Sequence, residues 1–184
     1  MYVLYMRAFL SVDLPNNIIK NILTFQNTLR MPGVKIIPSL QLHITLAFLG
    51  ELEKEQIDFI IPKLFEINKT KFNLSFENMG YFKRSNTEGV IFINVAENKE
   101  SIIELNRAII SKLELFQIIK TDTNTFIPHL TIARVKDNKK IWEIIDYEKP
   151  LSFGSFTVES FKLKKSTLSK EGPTYQDLAI FPLI

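Results

Sequence analysis

Apolar and polar residues alternate along several short segments of the chain, and this period of two predicts β-strands. The predicted strands cover residues 6–14, 42–48, 72–82, 90–95 and 127–135, with a short strand near residue 35 and a closing hairpin of residues 156–168 and 174–183. Gly50 is expected to end the strand that begins at residue 42. Strand-forming segments are therefore spread over the whole chain.

Segments with helical periodicity separate these strands. Helices are predicted over residues 15–30, with Pro15 in the first turn, over residues 53–68 and 100–116, and around Ile141. Pro62 predicts a kink or an early end in the second helix, because proline lacks the N–H for an intrahelical hydrogen bond. The apolar face expected for the third helix comprises Ile103, Leu105, Ile109, Ile110 and Leu113.

Each half of the chain contains strands, helical segments and one copy of a similar five-residue segment, HITLA in the first half and HLTIA in the second. This order predicts an α+β fold with two pseudo-symmetric lobes. Each lobe is expected to be an antiparallel or mixed sheet with helices outside, and a central cleft should lie between the sheets. No linker or low-complexity segment separates the halves, so residues 1–184 are expected to form a single bilobal domain.

The composition excludes several classes of protein. Apolar residues make up 46% of the 184 residues and charged residues 23%, as in ordinary soluble domains. No apolar segment approaches the roughly 20 residues that span a bilayer, and the N-terminal segment predicts a first strand rather than a signal peptide. The absence of cysteine excludes disulfides and thiolate chemistry. We therefore expect a cytoplasmic protein without a membrane partner, and its net charge of +3 permits an anionic ligand.

The two histidines of the chain both begin one of these five-residue segments. A single histidine in an apolar strand is often a core residue, but the shared pattern favours a common function. Alternation along a strand predicts that histidine, threonine and alanine of each segment share one face, while the intervening apolar residues pack into the core. The residues expected on the shared faces are His43, Thr45, Ala47, His129, Thr131 and Ala133. If the strands are neighbours, two imidazoles and two hydroxyls line one pocket.

Two imidazoles can act as a general acid and a general base near neutral pH, since the unperturbed imidazole pKa is about 6.5. Threonine hydroxyls can donate hydrogen bonds to the oxygens of a phosphate. A zinc site is less well supported, because the chain has no cysteine and no third histidine. A serine-hydrolase triad leaves the second histidine without a role. The pattern therefore favours acid–base catalysis on a phosphodiester, with no metal and no cofactor.

The two H-x-T segments resemble those of the 2H phosphoesterases, and in particular the RNA 2′,3′-cyclic phosphodiesterases, also called 2′-5′ RNA ligases. The resemblance covers nearly the whole chain. It includes the segments RAFLSVDLP, IIPSLQLHITLAFLGEL, IPHLTIARVK and KKSTLSKEGPTYQDLAIFPL. It implies a two-lobed fold with a central cleft, and hydrolysis of RNA 2′,3′-cyclic phosphate ends to 2′-phosphate ends.

The resemblance also implies roles for individual residues. His43 corresponds to the proton donor to the leaving ribose oxygen and His129 to the base that activates water. Thr45 and Thr131 correspond to residues that hold the phosphate oxygens. Arg134 matches an arginine of the second motif, but strict alternation places it opposite His129, so its role requires a strand end or a bulge.

Other residues have two interpretations. Phe48 could stack on a terminal base, although alternation favours a core position for it. Lys162, Lys164 and Lys165 could follow an RNA backbone or form an ordinary solvated strand face. The expected partner is RNA with a 2′,3′-cyclic phosphate end, including tRNA fragments, and the expected state is a monomer. Two alternatives stay open: 2′-5′ ligation of tRNA half-molecules by the reverse reaction, and a non-catalytic RNA- or nucleotide-binding module.

Overall fold

The computed structural model of the protein describes residues 5–85, 87–116, 125–136 and 150–184. In these ranges the strands are β1 (Tyr5–Asp13), β2 (Val34–Ile36), β3 (His43–Glu53), β4 (Phe72–Lys83), β5 (Gly89–Val95), β6 (His129–Val135), β7 (Ser152–Val158), β8 (Ser160–Ser169) and β9 (Gly172–Pro182). The helices are α1 (Asn16–Gln26), α2 (Lys54–Phe65) and α3 (Lys99–Leu115). The helix predicted around Ile141 lies outside the described residues.

The described strands form one antiparallel sheet in the order β7-β4-β5-β6-β3-β1-β8-β9, and β2 also pairs with β6. Between β3 and β6 the sheet is joined by a single pair, Ile44 with Leu130. This narrow junction divides the sheet into a first lobe, made of β1, β3, β8 and β9, and a second lobe, made of β2, β4, β5, β6 and β7. The predicted α+β fold with two lobes is confirmed.

The lobes do not correspond to the two halves of the sequence. Strands β8 and β9 complete the first lobe, although they are the last elements of the chain. Two helices also pack against the lobe opposite to the strand that they follow in the sequence. Helix α1 follows β1 but packs against β6 and β7, and α3 follows β5 but packs against β3. Each lobe therefore contains strands from both halves of the sequence and depends on distant segments for its packing.

Strand β3 does not end at Gly50, as the sequence predicted, but continues to Glu53. Its register with β1 shifts at Leu49, where β3 has an extra residue, and Gly50 follows with a φ of +75°. A side chain disfavours this left-handed backbone region, whereas glycine adopts it readily. Gly50 therefore allows a β-bulge within β3 and does not mark the end of the strand.

The segment 156–168, predicted as one strand, is divided at Glu159. Strand β7 pairs with β4 in the second lobe, while β8 pairs with β1 in the first lobe. The closing hairpin is formed by β8 and β9 alone. The alternation of buried residues shifts between Val158 and Phe161, which are both buried only three residues apart, as expected where one strand ends and another begins.

Helix α2 begins with a capping box, in which the backbone N–H of Glu53 donates to the side-chain oxygen of Gln56 at 2.9 Å. The helix contains Pro62, continues past it to Phe65, and ends three residues before the predicted residue 68. In α3, Leu105, Ile109 and Leu113 of the predicted apolar face are buried, but Ile102 and Asn106 are buried in place of Ile103 and Ile110, which are partly exposed. No helix in the described part of the chain is long and apolar enough to cross a membrane.

Candidate active site

Both histidines lie at the junction of the two lobes. His43 begins β3 and His129 begins β6, and each immediately precedes a residue of the Ile44–Leu130 pair. Because the two strands are antiparallel, this pairing places the His-x-Thr segments side by side in opposite directions. The arrangement has approximate two-fold symmetry, with one imidazole and one threonine contributed by each lobe.

A cavity of about 470 Å³ opens at this junction. It is lined by all six residues that the sequence and the resemblance singled out, namely His43, Thr45, Phe48, His129, Thr131 and Arg134. Further lining residues include Arg7 of β1, Arg84 directly after β4, and Tyr175 of β9. None of the described residues that line the cavity is acidic. The cavity therefore suits an anionic ligand.

The two imidazoles are oriented in the same way. Nδ1 of His43 donates to the carbonyl oxygen of Gln41 at 2.8 Å, and Nδ1 of His129 donates to that of Ile127 at 2.7 Å. A carbonyl oxygen can only accept, so each neutral ring carries its proton on Nδ1 and has an unprotonated Nε2. Nε2 of His43 accepts from the Thr45 hydroxyl at 3.0 Å. Each ring is thus held in the tautomer in which Nε2 can take up a proton.

Aromatic rings from neighbouring strands fix both imidazoles. The His43 ring lies 5.0 Å from the Phe9 ring and 5.3 Å from the Tyr175 ring, measured between centroids. The His129 ring lies 4.9 Å from Phe82 and 5.2 Å from Phe92. Each histidine therefore sits between two aromatic side chains of its own lobe, which limit the movement of the ring and exclude water from its sides.

Burial changes the acidity of both histidines. It lowers the pKa of His43 to about 4, although the Gln41 carbonyl and the Asp13 carboxylate act in the opposite direction. Burial also lowers the pKa of His129; the Ile127 carbonyl opposes this shift, and the positive charge of Arg84 adds to it. Both rings are therefore neutral at neutral pH, whereas an unperturbed pair would allow one charged and one neutral ring.

A β-bulge in each histidine strand decides which side chains face the cavity. The register of β3 with β1 skips Leu46, and the register of β6 with β5 skips Ile132. After each bulge the alternation is inverted, so Phe48 is 71% exposed and Arg134 is exposed, and both line the cavity. The bulge that the role of Arg134 required is therefore present, and the expectation of a core position for Phe48 was wrong.

The same inversion corrects the prediction for the two alanines. Ala47 and Ala133 were expected to share the cleft face with the histidines, but they are 7% and 0% exposed and belong to the core. Phe48 and Arg134 occupy equivalent places in the two lobes, since each lies five residues after its histidine. The approximate symmetry thus ends at this position, where one lobe offers an aromatic ring and the other a guanidinium group.

Two buried amides support these bulges. The side chain of Asn106 in α3 donates to the carbonyl oxygen of Leu46 at 2.8 Å, and that of Gln26 in α1 donates to the carbonyl oxygen of Ile132 at 2.8 Å. Gln26 and Asn106 are 2% and 7% exposed. Each amide thus satisfies a carbonyl of the extra residue in a histidine strand. Sequence patterns missed both residues, because a polar residue within a helix is ordinarily assigned to the solvent side.

Three arginines surround the cavity, and the sequence indicated only one of them, Arg134. Arg7, Arg84 and Arg134 are exposed, and none of them takes part in the ion pairs found among the described residues. Burial raises the pKa of Tyr175, while Arg134 and Arg7, from opposite lobes, lower it. The tyrosine hydroxyl is therefore protonated at neutral pH and lies within the field of both arginines. The proximity of these residues to one another follows only from the strand register.

The lysines of β8 are engaged differently. Lys162 and Lys164 both form ion pairs with Asp13 and Asp177, and Lys164 is 8% exposed. The buried Lys164 therefore does not lie along a bound RNA backbone, nor does it form a solvated face. Among the described residues, no group of three or more His, Cys, Asp or Glu side chains is arranged to hold a metal ion.

The chain was compared with known proteins. Residues 21–168 match the model of the 2′-5′ RNA ligase superfamily. The chain is similar to the RNA 2′,3′-cyclic phosphodiesterase of Methanocaldococcus jannaschii, with 38% identity over 93% of this chain and 97% of the relative. It is also similar to the protein of the same name from Archaeoglobus fulgidus, with 34% identity over 96% of this chain and 99% of the relative.

A solved structure shows the same fold. The crystal structure of TT0787 of Thermus thermophilus superposes with a TM-score of 0.82 and 28% sequence identity, over 96% of this chain and 97% of that chain. The family match spans both histidine segments and both lobes. With its two His-x-Thr segments facing one cavity, this chain belongs to the 2′-5′ RNA ligase superfamily.

Proposed function

We propose that this protein hydrolyses the 2′,3′-cyclic phosphate ends of RNA to 2′-phosphate ends. In the reaction, Nε2 of His129 takes a proton from a water molecule, and the water oxygen attacks phosphorus. The bond from phosphorus to O3′ breaks, and protonated His43 supplies a proton from Nε2 to O3′. The ring phosphate is a strained diester, so this step needs only an in-line water, a base and an acid. The choice of O3′ as leaving oxygen follows from the family resemblance.

The observation that carries this proposal is the matched orientation of the two imidazoles. Both present Nε2 in one cavity and both have Nδ1 fixed by a backbone carbonyl, so the same geometry supports proton uptake on one side and proton delivery on the other. A binding module would not need two rings with the same tautomer. The names of the relatives, RNA 2′,3′-cyclic phosphodiesterase, support the same substrate.

The low pKa of His43 in the empty cleft is compatible with its proposed role as the acid. The cyclic phosphate carries a negative charge, and an anion close to an imidazole stabilises the charged form of the ring. We infer that His43 takes up its proton when the phosphate enters. His129 is neutral in the empty cleft, as a general base must be, and the nearby Arg84 disfavours its protonation.

The remaining residues of the cavity are assigned to substrate binding. Thr45 and Thr131 would donate hydrogen bonds to the phosphate oxygens, and Arg134 would neutralise the negative charge that grows in the transition state. The exposed ring of Phe48 at the rim could stack on the terminal base. These groups supply hydroxyl donors and positive charge from the protein itself, so we propose that the reaction needs no metal ion.

The test is incubation of the purified protein with an RNA oligonucleotide that ends in a 2′,3′-cyclic phosphate, followed by identification of the terminus. We expect a 2′-phosphate, formed at an unchanged rate with excess EDTA. Replacing His43 or His129 by Asn should lower the rate about 10²–10⁴-fold. The control R107Q changes an exposed arginine of α3 and should retain full activity.

Other outcomes distinguish the alternatives. A 3′-phosphate product would reverse the ribose oxygen that His43 serves, and loss of activity with EDTA that zinc or manganese restores would refute the metal-free mechanism. Unchanged substrate between pH 5 and 9 would contradict the enzymatic proposal. Joining of a 5′-hydroxyl RNA in the same assay would reveal ligation, with tRNA half-molecules as candidate substrates. We further propose that residues 1–184 act as one bilobal unit and as a monomer.

A further inference from the structure

Four charged side chains form a closed cluster in the first lobe, here called the ion quartet: Asp13, Lys162, Lys164 and Asp177. Nζ of Lys162 lies 2.9 Å from Oδ2 of Asp13 and 2.6 Å from Oδ2 of Asp177. Nζ of Lys164 lies 3.0 Å from Oδ2 of Asp13 and 2.6 Å from Oδ1 of Asp177. Each lysine therefore bridges both aspartates, and the charges of the quartet sum to zero.

The quartet adjoins His43. Asp13 is the direct partner of His43 in the β1–β3 ladder, and paired residues of an antiparallel ladder project from the same face. On the other edge of β1, Lys164 is the partner of Phe9, whose ring contacts the His43 ring. The charges of Asp13 and Lys164 act on His43 in opposite directions, the carboxylate favouring the imidazolium form and the ammonium opposing it.

His43 makes no hydrogen bond to the neighbouring carboxylate. Its two ring nitrogens contact the carbonyl of Gln41 and the hydroxyl of Thr45, while Oδ2 of Asp13 is held by both lysines. A free aspartate beside an imidazole ordinarily keeps the ring protonated. Here both lysines compete for that aspartate at nearly equal distances, and Lys164 is the more buried of the two.

We propose that Lys164 is a positioning residue for His43: together with Lys162 it holds Asp13 in ion pairs and away from the imidazole nitrogens, which adds to the effect of burial and keeps His43 neutral until an anionic phosphate enters the cleft. In the proposed reaction, the negative charge of the substrate then favours protonation of His43. Before the substrate binds, the His43 ring is neutral. The consequence for catalysis rests on the proposed function, whereas the electrostatic coupling of Lys164, Asp13 and His43 does not.

Several other groups face His43 and set the background for this coupling. They are Thr45 on its own strand, His129 on β6 and Tyr175 on β9, while Lys162 and Asp177 act through their ion pairs with Asp13 and Lys164. His129 is neutral near pH 7 and, when protonated, disfavours a second charge on His43. Lys162 and Asp177 belong to the quartet but are not among the charges that shift the pKa of His43, and so they provide matched controls.

The experiment is an NMR titration of the two histidines, whose ring signals can be assigned because the chain contains only these two. In the wild-type protein we expect His43 to titrate near pH 4. K164M leaves Asp13 with Lys162 as its remaining ammonium partner and removes a positive charge that disfavours the imidazolium, so the pKa of His43 should rise by about one to two units. The double variant D13N/K164M should reverse this rise, and K164R, which retains the charge, should behave as the wild type.

Matched variants separate this role from general loss of structure. K162M removes the same charge and the same number of ion pairs as K164M, but should raise the pKa of His43 by less than half as much. D13N should keep His43 neutral down to the lowest pH at which the variant remains folded, whereas D177N should leave the titration near pH 4. If K164M does not fold, the comparison of D13N with D177N still tests the coupling of Asp13 to His43, on which the proposal depends.

Equal shifts in K164M and K162M, or no change in His43 in either K164M or D13N, would overturn the proposal. The titration uses no substrate, so a protein without phosphodiesterase activity could still show the coupling. Conversely, an active enzyme with an unshifted His43 in the variants would refute the role of Lys164 and leave the proposed function intact.

Discussion

At the scale of single residues, the protein places two identical side chains in nearly identical surroundings. Each histidine has Nδ1 bonded to the carbonyl two residues before it and is held between two aromatic rings. The rings differ in the charges near them, because Asp13 and Lys164 act on His43 whereas Arg84 acts on His129. Differences in acidity between two like groups allow one to serve as acid and the other as base.

The pH dependence of the reaction should reflect these shifts. The proposed reaction requires protonated His43 and neutral His129, and kcat/KM reports the ionisations of the free enzyme. Because burial lowers the pKa of both rings, the bell-shaped profile of kcat/KM should lie on the acid side of the ordinary imidazole value of about 6.5. Its alkaline limb should begin below pH 6.5 and fall about tenfold per pH unit.

The profile of kcat should differ from that of kcat/KM. The bound phosphate anion raises the pKa of His43, so the alkaline limb of kcat should lie at higher pH. Steady-state kinetics from pH 4 to 9 with a cyclic-phosphate oligonucleotide measures both limbs. The assignment of His43 as an acid that is protonated on substrate binding would be contradicted by an alkaline limb of kcat/KM above pH 7.5. It would also be contradicted if the alkaline limbs of kcat and kcat/KM fell at the same pH.

At the scale of elements, the bulges in β3 and β6 determine which side chains of these strands face the cavity. Without the extra residues Leu46 and Ile132, Phe48 and Arg134 would point into the core. The bulges are stabilised by amides from helices that lie far away in the sequence, Asn106 in α3 and Gln26 in α1. Helix packing and the shape of the cavity are therefore coupled through two side-chain hydrogen bonds.

This coupling predicts the effect of N106L. The variant leaves the buried carbonyl of Leu46 without its partner, so the free energy of unfolding should fall by about 1–3 kcal/mol in urea titrations. The β3 bulge should relax and Phe48 should move, so KM for the oligonucleotide should rise while kcat changes less. The control I109V, on the same helix, should cost about 0.5–1.5 kcal/mol and leave KM unchanged. Equal KM values in the two variants would disprove the coupling.

At the scale of the whole molecule, the site depends on how two lobes meet. The sheet continues across the junction through the pair of Ile44 and Leu130, which are both fully buried. Each of these residues is flanked by the histidine and threonine of its own strand. The apolar contact at the junction therefore fixes the distance between the two halves of the cavity.

Truncation at the junction should impair both stability and chemistry. I44A and L130A should each lower the free energy of unfolding by about 2–5 kcal/mol, and the double variant should deviate from additivity because the residues are in contact. Both should also lower kcat at temperatures where the proteins are folded, since misplaced groups lose their alignment. L74A removes an equally buried leucine from the second lobe and should lower stability alone. An L130A enzyme with wild-type kcat would refute this role.

Much of the protein follows from the sequence by itself. The periods of the apolar residues placed the strands and helices, because burial of one face imposes the same spacing wherever the element lies in the fold. The two His-x-Thr segments predicted four of the residues that line the cavity, since strand alternation requires the imidazole and the hydroxyl of each segment to share a face. The family resemblance added Arg134 and Phe48, and the cavity is lined by both.

Other features were decided by the tertiary structure alone. Strand alternation predicted the wrong face for Phe48, Ala47 and Ala133, because a bulge depends on the register with the neighbouring strand and on a hydrogen bond from a distant helix. Lys164 and Asp13 are 151 residues apart in the chain, and their ion pair exists only because β8 lies beside β1. Local patterns record which residues are buried, whereas the partners of charged and polar groups depend on which strands become neighbours.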